Sequence, residues 1–240
     1  MVGGVRSEHD KIIWWSWLQG LENAPEICKA CLRSWRKCYP DYKIVILDEK
    51  NISDYISIPD YITKKFHDKK MLPAHYSDIL RAQLLYTYGG IWADATVFCS
   101  ARNPEYENLL TLPLFAFKEK NNTSWCAASS WFIVSDKNNP IIKLTRDLLF
   151  YHWEKCEHQI DYFLFHMLFK LAAEKYPDEW ARVPVYMNDI PHKIQANMYE
   201  NYSDEVMNGF KALSDFHKLT YKLNKSPSNK SIYNHIIESA

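Results

Sequence analysis

The chain reads as an α/β protein with a central, mostly parallel sheet flanked by helices. Short apolar runs rich in β-branched and aromatic residues alternate with stretches of helical periodicity. The first strand pattern precedes the first helix pattern, and no internal repeat or long linker interrupts the alternation.

Each element has its own signal. KIIWWSWL, Lys11 to Leu18, is a buried strand closed by the turn residues Gln19-Gly20. Pro25 opens a helix that runs to about Lys37, and YPDY punctuates it. KIVILD, Lys43 to Asp48, is a second buried strand, and the polar segment holding Pro59 and Pro73 suits short helices and loops. Ser77 is the expected N-cap of a helix over 78–88, stopped by Gly89-Gly90, after which IWADATVF returns as a strand. WFIVSD, Trp131 to Asp136, is a further strand, NPIIKLTRDLLFYHWE a helix from near Pro140, and DYFLFHMLFKLAAEKY a largely apolar helix. Beyond Tyr199 the chain is polar, and its basic stretch KLTYKLNKSPSNKS is expected to hold little regular structure.

Composition sets bounds. A chain of 240 residues is long enough to bury a substantial core. Hydrophobic residues at 47% and charged residues at 24% are ordinary for a globular protein, and a formal net charge of zero argues against general affinity for nucleic acid. The aromatic share of 15% suits a site for sugars or nucleobases as well as it suits an aromatic core. Cys28 and Cys31 form a CxxC, but no second such pair or nearby paired histidines complete a zinc pattern. Their setting, PEICKACLRSW, is an amphipathic helix, so the expectation is buried, reduced thiols in a cytoplasmic protein. The polar start MVGGVRSEHD carries no signal-peptide pattern, and no apolar run approaches the roughly 20 residues that cross a bilayer. The expected protein is soluble or peripheral.

One stretch contradicts its own surroundings. Tyr76 to Phe98, YSDILRAQLLYTYGGIWADATVF, is apolar enough for a core yet carries Asp78, Arg81 and Asp94. The helix over 78–88 has almost no polar face, which marks it as buried. Asp78 and Arg81 are three apart and share a face. Ten residues of helix cover about 15 Å and five of strand about 16 Å, so an antiparallel return brings Asp94 level with Asp78 and Arg81. In the strand, Asp94 and Thr96 point to one side. Such a cluster at a strand's carboxyl end is where open α/β sheets bind ligands. A structural Asp78–Arg81 pair explains two of these charges and leaves Asp94 unexplained.

SDILR followed by YGGIWADATVF resembles the core signature of family 32-type glycosyltransferases, most of all their bacterial capsular polysaccharide synthesis branch, and is similar to the catalytic domains of the clostridial glucosylating toxins. Ser77, Asp78 and Arg81 match the helix start of that signature, and Asp94 matches the first acid of its Asp-x-Asp motif. KIIWWSWLQG resembles the family's first strand, which puts Trp17 where a ring stacks on the nucleotide base and Gln19-Gly20 at the turn. SSWFIVSDKNNPII, DYFLFH and HKLTYK resemble later blocks, so the likeness covers most of the chain.

The resemblance implies a GT-A fold in one catalytic domain over 1–240, with a nucleotide-sugar half over about 10–100 and an acceptor-side half plus tail over about 101–240. It implies a retaining hexosyltransferase that uses a nucleotide-sugar donor, UDP-sugars favoured, and a saccharide acceptor, lipid-linked at the inner face of the membrane, in capsule or O-antigen synthesis. Donor contacts fall to Trp17, Gln19, Ser77, Asp78, Arg81, Asp94, Thr96 and Lys218, the catalytic group to Asp78, Arg81 and Asp94, and an acceptor-side contact to Asp161. It also implies a divalent metal, Mn or Mg, on Asp94 and Thr96, with His217 as a third ligand; Lys218 and Lys222 are alternatively diphosphate ligands. The sequence departs from the pattern at Thr96, where the family's second acid stands, and a hydroxyl is a weaker ligand for a hard cation. The basic tail suits contact with anionic lipid. A non-catalytic sugar-binding protein and a metal-dependent hydrolase are the alternative classes. The hydrolase would show two dense carboxylate clusters where one appears, and the binding protein leaves the Asp–Arg–Asp group without a purpose.

Overall fold

The computed structural model describes residues 11–119 and 125–239; the opening MVGGVRSEHD lies outside them. In chain order the elements are β1 (Ile12–Ser16), α1 (Glu26–Cys38), β2 (Lys43–Leu47), α2 (Asp60–His67), α3 (Pro73–Tyr88), β3 (Gly90–Ala93), β4 (Val97–Cys99), α4 (Pro104–Leu109), β5 (Leu114–Lys118) and β6 (Ala128–Ser135). There follow α5 (Pro140–Lys155), α6 (Leu164–Lys175), α7 (Pro177–Ala181), α8 (Lys193–Asn197), α9 (Asp204–Lys211), β7 (Phe216–Lys218) and α10 (Ile232–Ser239).

The main sheet has the order β2-β1-β3-β6-β5. β1 pairs parallel with both β2 and β3, while β6 runs antiparallel to β3 and to β5. Four strands therefore point one way and β6 alone runs against them, as the mostly parallel reading expects. The order reverses at β1: the chain leaves it for β2 on one side and returns through α3 to β3 on the other. The carboxyl ends of β1 and β3 thus flank a switch point, the place in such sheets where a crevice opens.

Alternation along β1 divides the interior. Trp14 packs in the larger core with Leu84 and Leu85 of α3, Phe132 of β6 and Trp153 of α5. Its neighbour Trp15 points into a second cluster with Cys28 and Cys31 of α1 and Ile232 and Ile236 of α10. The CxxC is therefore core material, as its helical setting predicts: both thiols are fully buried, and burial pushes Cys28 up to about 12. Among the described residues no three His, Cys, Asp or Glu side chains converge as a metal site, and no helix is long and apolar enough to cross a membrane.

Two local expectations are corrected. The buried helix starts at Pro73, whose fixed φ and missing N–H suit a first turn, so Ser77 lies inside it and caps nothing. IWADATVF is not one strand: β3 ends at Ala93, a turn over Asp94–Thr96 is closed by Val97 N–H donating to the Asp94 carbonyl at 2.9 Å, and β4 begins a separate two-stranded sheet. The partner of β4 is β7, from the polar stretch beyond Tyr199, and α10 packs on α1; between β7 and α10 residues 219–230 hold no helix or strand, as the basic stretch predicts. Pairing between residues this far apart in sequence leaves no trace in a local pattern.

Gly90 is required at the hinge between α3 and β3. It holds φ +94°, and a Cβ there would lie 2.8 Å from the Ile12 carbonyl and 3.3 Å from Trp14 Nε1. That close approach lets β3 lie beside β1 and lets Trp14 Nε1 donate to the Gly89 carbonyl at 2.9 Å.

Candidate active site

The carboxyl ends of β1 and β3 open on a cavity of about 430 Å³. Eight of the residues expected to bind a donor line it: Trp17, Gln19, Ser77, Asp78, Arg81, Asp94, Thr96 and Lys218. They come from the turn after β1, the second and third turns of α3, the turn after β3, and β7.

Arg81 is the centre of the group. Its guanidinium donates through Nη1 to Asp78 Oδ1 at 2.5 Å and through Nη2 to Asp94 Oδ1 at 3.1 Å. The Trp92 and Phe165 rings lie 5.1 and 5.0 Å from its carbon, so a planar cation is held between aromatic rings. Its side chain is only 4% exposed. His75 lies buried behind this pair, with Nδ1 3.6 Å from Asp78 Oδ2.

Asp94 is ringed by donors. Oδ1 accepts from Trp92 Nε1 at 2.8 Å as well as from Arg81, and Oδ2 accepts from Lys218 Nζ at 2.8 Å. The same ammonium donates to Thr96 Oγ1 at 2.7 Å. Burial disfavours the Asp94 carboxylate, but the charges of Lys218 and Arg81 and the hydrogen bonds from Lys218 and Trp92 outweigh it and hold the carboxyl below its ordinary range. Lys218 reaches this position because β7 runs antiparallel to β4, with Lys218 opposite Val97 and Leu219 N–H donating to the Thr96 carbonyl at 2.9 Å.

The rest of the cavity is aromatic and polar. Trp17 meets Tyr221 edge-on at 5.2 Å, and Lys222 adds a third cation to the wall. Tyr162 and His166 also line it, and burial pushes the His166 imidazole down to about 4, so it is neutral at pH 7. Its Nδ1 is buried without a hydrogen-bond partner.

Two expected residues are elsewhere. Successive side chains of a strand alternate, so with Lys218 turned to Asp94 its neighbour His217 faces the interior: 1% exposed, Nε2 3.0 Å from Ser100 Oγ, and pushed down to about 3 by burial. Asp161 is exposed and receives the Phe163 N–H at 2.7 Å ahead of α6. The neighbouring Tyr162, not Asp161, lines the cavity. Trp92 was legible and missed, since two residues before Asp94 in a strand is the same face. Tyr162 and His166 lie in DYFLFH and Tyr221 in HKLTYK, blocks whose resemblance to the family marks the segments and not these residues.

The divalent cation implied by the family resemblance finds a poor set of ligands here. Asp94 already accepts from three N–H donors, two of them cationic, and Thr96 accepts from one of these. His217, the third ligand that resemblance supplied, faces away. These residues do not fit a metal held on Asp94 and Thr96.

Comparisons with known proteins bear on the family and the fold. The chain is 25% identical over 162 residues to O-glycosyltransferase braB of Annulohypoxylon truncatum, covering 60% of this chain and 38% of that protein. It is 32% identical over 100 residues to Glycosyltransferase afumC of Aspergillus fumigatus, covering 38% of this chain and 25% of that protein. The chain thus spans well under half the length of either fungal relative. Among solved structures it is similar to PaToxG Glycosyltransferase, with a TM-score of 0.54, 17% identity, and coverage of 97% of this chain and 88% of that one. That likeness shows a shared fold. The model of one family, described as capsular polysaccharide synthesis protein, matches residues 5–236, and this chain belongs to that family.

Proposed function

We propose that the chain is a GT-A type glycosyltransferase that moves a hexose, with retention, from a nucleotide-sugar donor (a UDP-sugar in the first instance) to a saccharide acceptor in polysaccharide synthesis. The observation that carries this reading is the convergence of Trp17, Asp78, Arg81, Asp94 and Lys218 on one cavity.

Each residue has work suited to its chemistry. Trp17 offers a ring face to the base. Asp78 accepts from donor sugar hydroxyls and, fixed by Arg81, orients the ring. As the anomeric carbon–oxygen bond breaks, negative charge collects on the departing diphosphate, and fixed cations in a partly dry cavity stabilise that charge most when it is largest. The acceptor hydroxyl enters past Tyr162 and His166 and attacks the anomeric carbon from the face the diphosphate leaves. Its proton passes to the departing phosphate oxygen, so no side-chain nucleophile is required. A lipid-linked acceptor of the capsule or O-antigen kind, met at the inner membrane face, fits this role, and the relatives' printed names support transfer without naming an acceptor.

The test is incubation with a panel of UDP-, GDP- and CMP-sugars. Slow release of free sugar, with the first product seen by NMR keeping the donor's anomeric configuration, is the expected result. Binding without turnover would mean a sugar-binding protein, and inverted product would reject retention.

A further inference from the structure

Between Asp94 and Thr96, at the position a metal would share, the structure holds an ammonium. We propose that Lys218 takes the place of the divalent cation, so that this chain holds its donor's diphosphate with Lys218, Arg81 and Lys222 and requires no metal. The proposal rests on the donor-binding reading above and specifies how that site meets the diphosphate.

Three observations carry it. Lys218 Nζ bridges Asp94 Oδ2 at 2.8 Å and Thr96 Oγ1 at 2.7 Å, which uses two of the three N–H donors of an ammonium and leaves one for a ligand. Lys218 and Lys222 both line the cavity that Arg81 and Asp94 line, so the cations face one cavity. The position is also built rather than incidental: the β4–β7 pairing fixes Lys218 opposite the turn that presents Asp94 and Thr96. Thr96 then has a reason to be threonine. One carboxylate neutralises one ammonium, and a neutral hydroxyl at 96 accepts its second hydrogen bond. A second carboxylate there would restore the excess negative charge that calls for a divalent ion.

The test uses the full chain with inorganic pyrophosphate and Mn²⁺ as separate probes, so that it needs no knowledge of the sugar. Pyrophosphate in excess EDTA should raise the melting temperature, and added Mn²⁺ should not tighten its binding. Lys218→Met should weaken pyrophosphate in EDTA by about tenfold or more, the share of one charge-assisted hydrogen bond, while Lys218→Arg keeps most of it. Electron paramagnetic resonance of Mn²⁺ with the protein alone should show no binding that Asp94→Asn removes. Mn²⁺ held in an Asp94-dependent way overturns the assignment, as does pyrophosphate that binds only with Mn²⁺ or not at all. If Lys218→Met does not fold, the wild-type comparison of EDTA with Mn²⁺ decides alone. Metal-free pyrophosphate binding with no turnover of any nucleotide sugar would support the assignment of Lys218 while rejecting sugar transfer.

Discussion

Two quartets of charge on this molecule have the same formula and different surroundings. Lys11, Asp41, Arg102 and Glu107 form one, with Lys11 2.6 Å and Arg102 2.5 Å from Asp41, and Arg102 2.5 Å from Glu107. Asp78, Arg81, Asp94 and Lys218 form the other. Each pairs two carboxylates with two cations. The side chains of the first are 29 to 59% exposed, those of the second 4 to 25%. Water solvates the outer group whether or not its partners are present, so its pairs contribute little. Among the described residues the inner group's ion pairs run between its own members, with a buried His75 beside Asp78, and each member removed leaves its partners charged in a poor solvent. Ion-pair geometry alone would rank the two alike. Exposure separates an ornament of the surface from a site.

Removing Arg81 should show the largest effect. Arg81→Ala leaves Asp78 and Asp94 without their shared guanidinium and should cost about 3–5 kcal/mol of stability, read by urea unfolding. Arg81→Lys should recover part of the stability and little of the transfer, since one ammonium cannot reproduce the fork that spans both acids. A loss under about 1 kcal/mol on Arg81→Ala would place the inner quartet with surface pairs.

Asp94→Asn asks whether the inner group is more than structure. The amide keeps the shape and one acceptor oxygen but gives up the charge that fixes Lys218. Donor hydrolysis should fall at least about 100-fold, with circular dichroism unchanged. Activity within a few-fold of wild type would remove Asp94 from the machinery.

Much of this site is legible in the sequence, and the misses have a common cause. Asp78 and Arg81 are found because three residues apart on a helix is a local relation. Asp94 is found because one glycine turn joins the helix to the strand, and matched lengths fix where the strand ends. Trp17 and Gln19 come from the resemblance of KIIWWSWLQG to the family's first strand, since residue pattern alone reads Trp17 as core packing. His217 is misjudged because β7 spans three residues in a polar stretch and exists only through its partner β4; without the strand, nothing says which of two neighbours, His217 or Lys218, faces the cavity. The early start of α3 is a smaller miss, since Pro73 and Ser77 are both good openers and the deciding turn is set by packing of His75 and Tyr76, both buried.

His217 sharpens the contrast from the opposite direction, as an interior group that stays neutral beside one that stays charged. Its folded pKa, about 3, lies below the unfolded value near 6.5. Between these values the unfolded chain binds a proton that the folded chain refuses, so stability falls as pH drops below about 6.5. The loss from this residue should reach about 2 kcal/mol at pH 5. His217→Gln retains a polar group for Ser100 and cannot titrate, so its stability should fall less steeply from pH 6.5 to 5. Equal slopes for the two proteins would mean that His217 is accessible to protons in the fold.

The outer quartet should give the smallest effect, and the comparison depends on that. Arg102 bridges Asp41 and Glu107 and lies 4.8 Å from the Tyr39 ring, so by contact it rivals Arg81, which also bridges two acids between rings. Hydrogen bonds from Arg102 and Lys11 hold Asp41 well below the usual carboxylate range, yet this advantage is open to solvent and to salt. Arg102→Ala should therefore cost less than about 1 kcal/mol, and molar NaCl should erase most of it because the screening length then shrinks to about 3 Å. Activity should be unaffected. The Arg81→Ala penalty should largely persist in the same salt, since the Arg81 side chain is 4% exposed and buried pairs are screened far less than surface ones. If both penalties screened alike, burial would not be what distinguishes the cavity group.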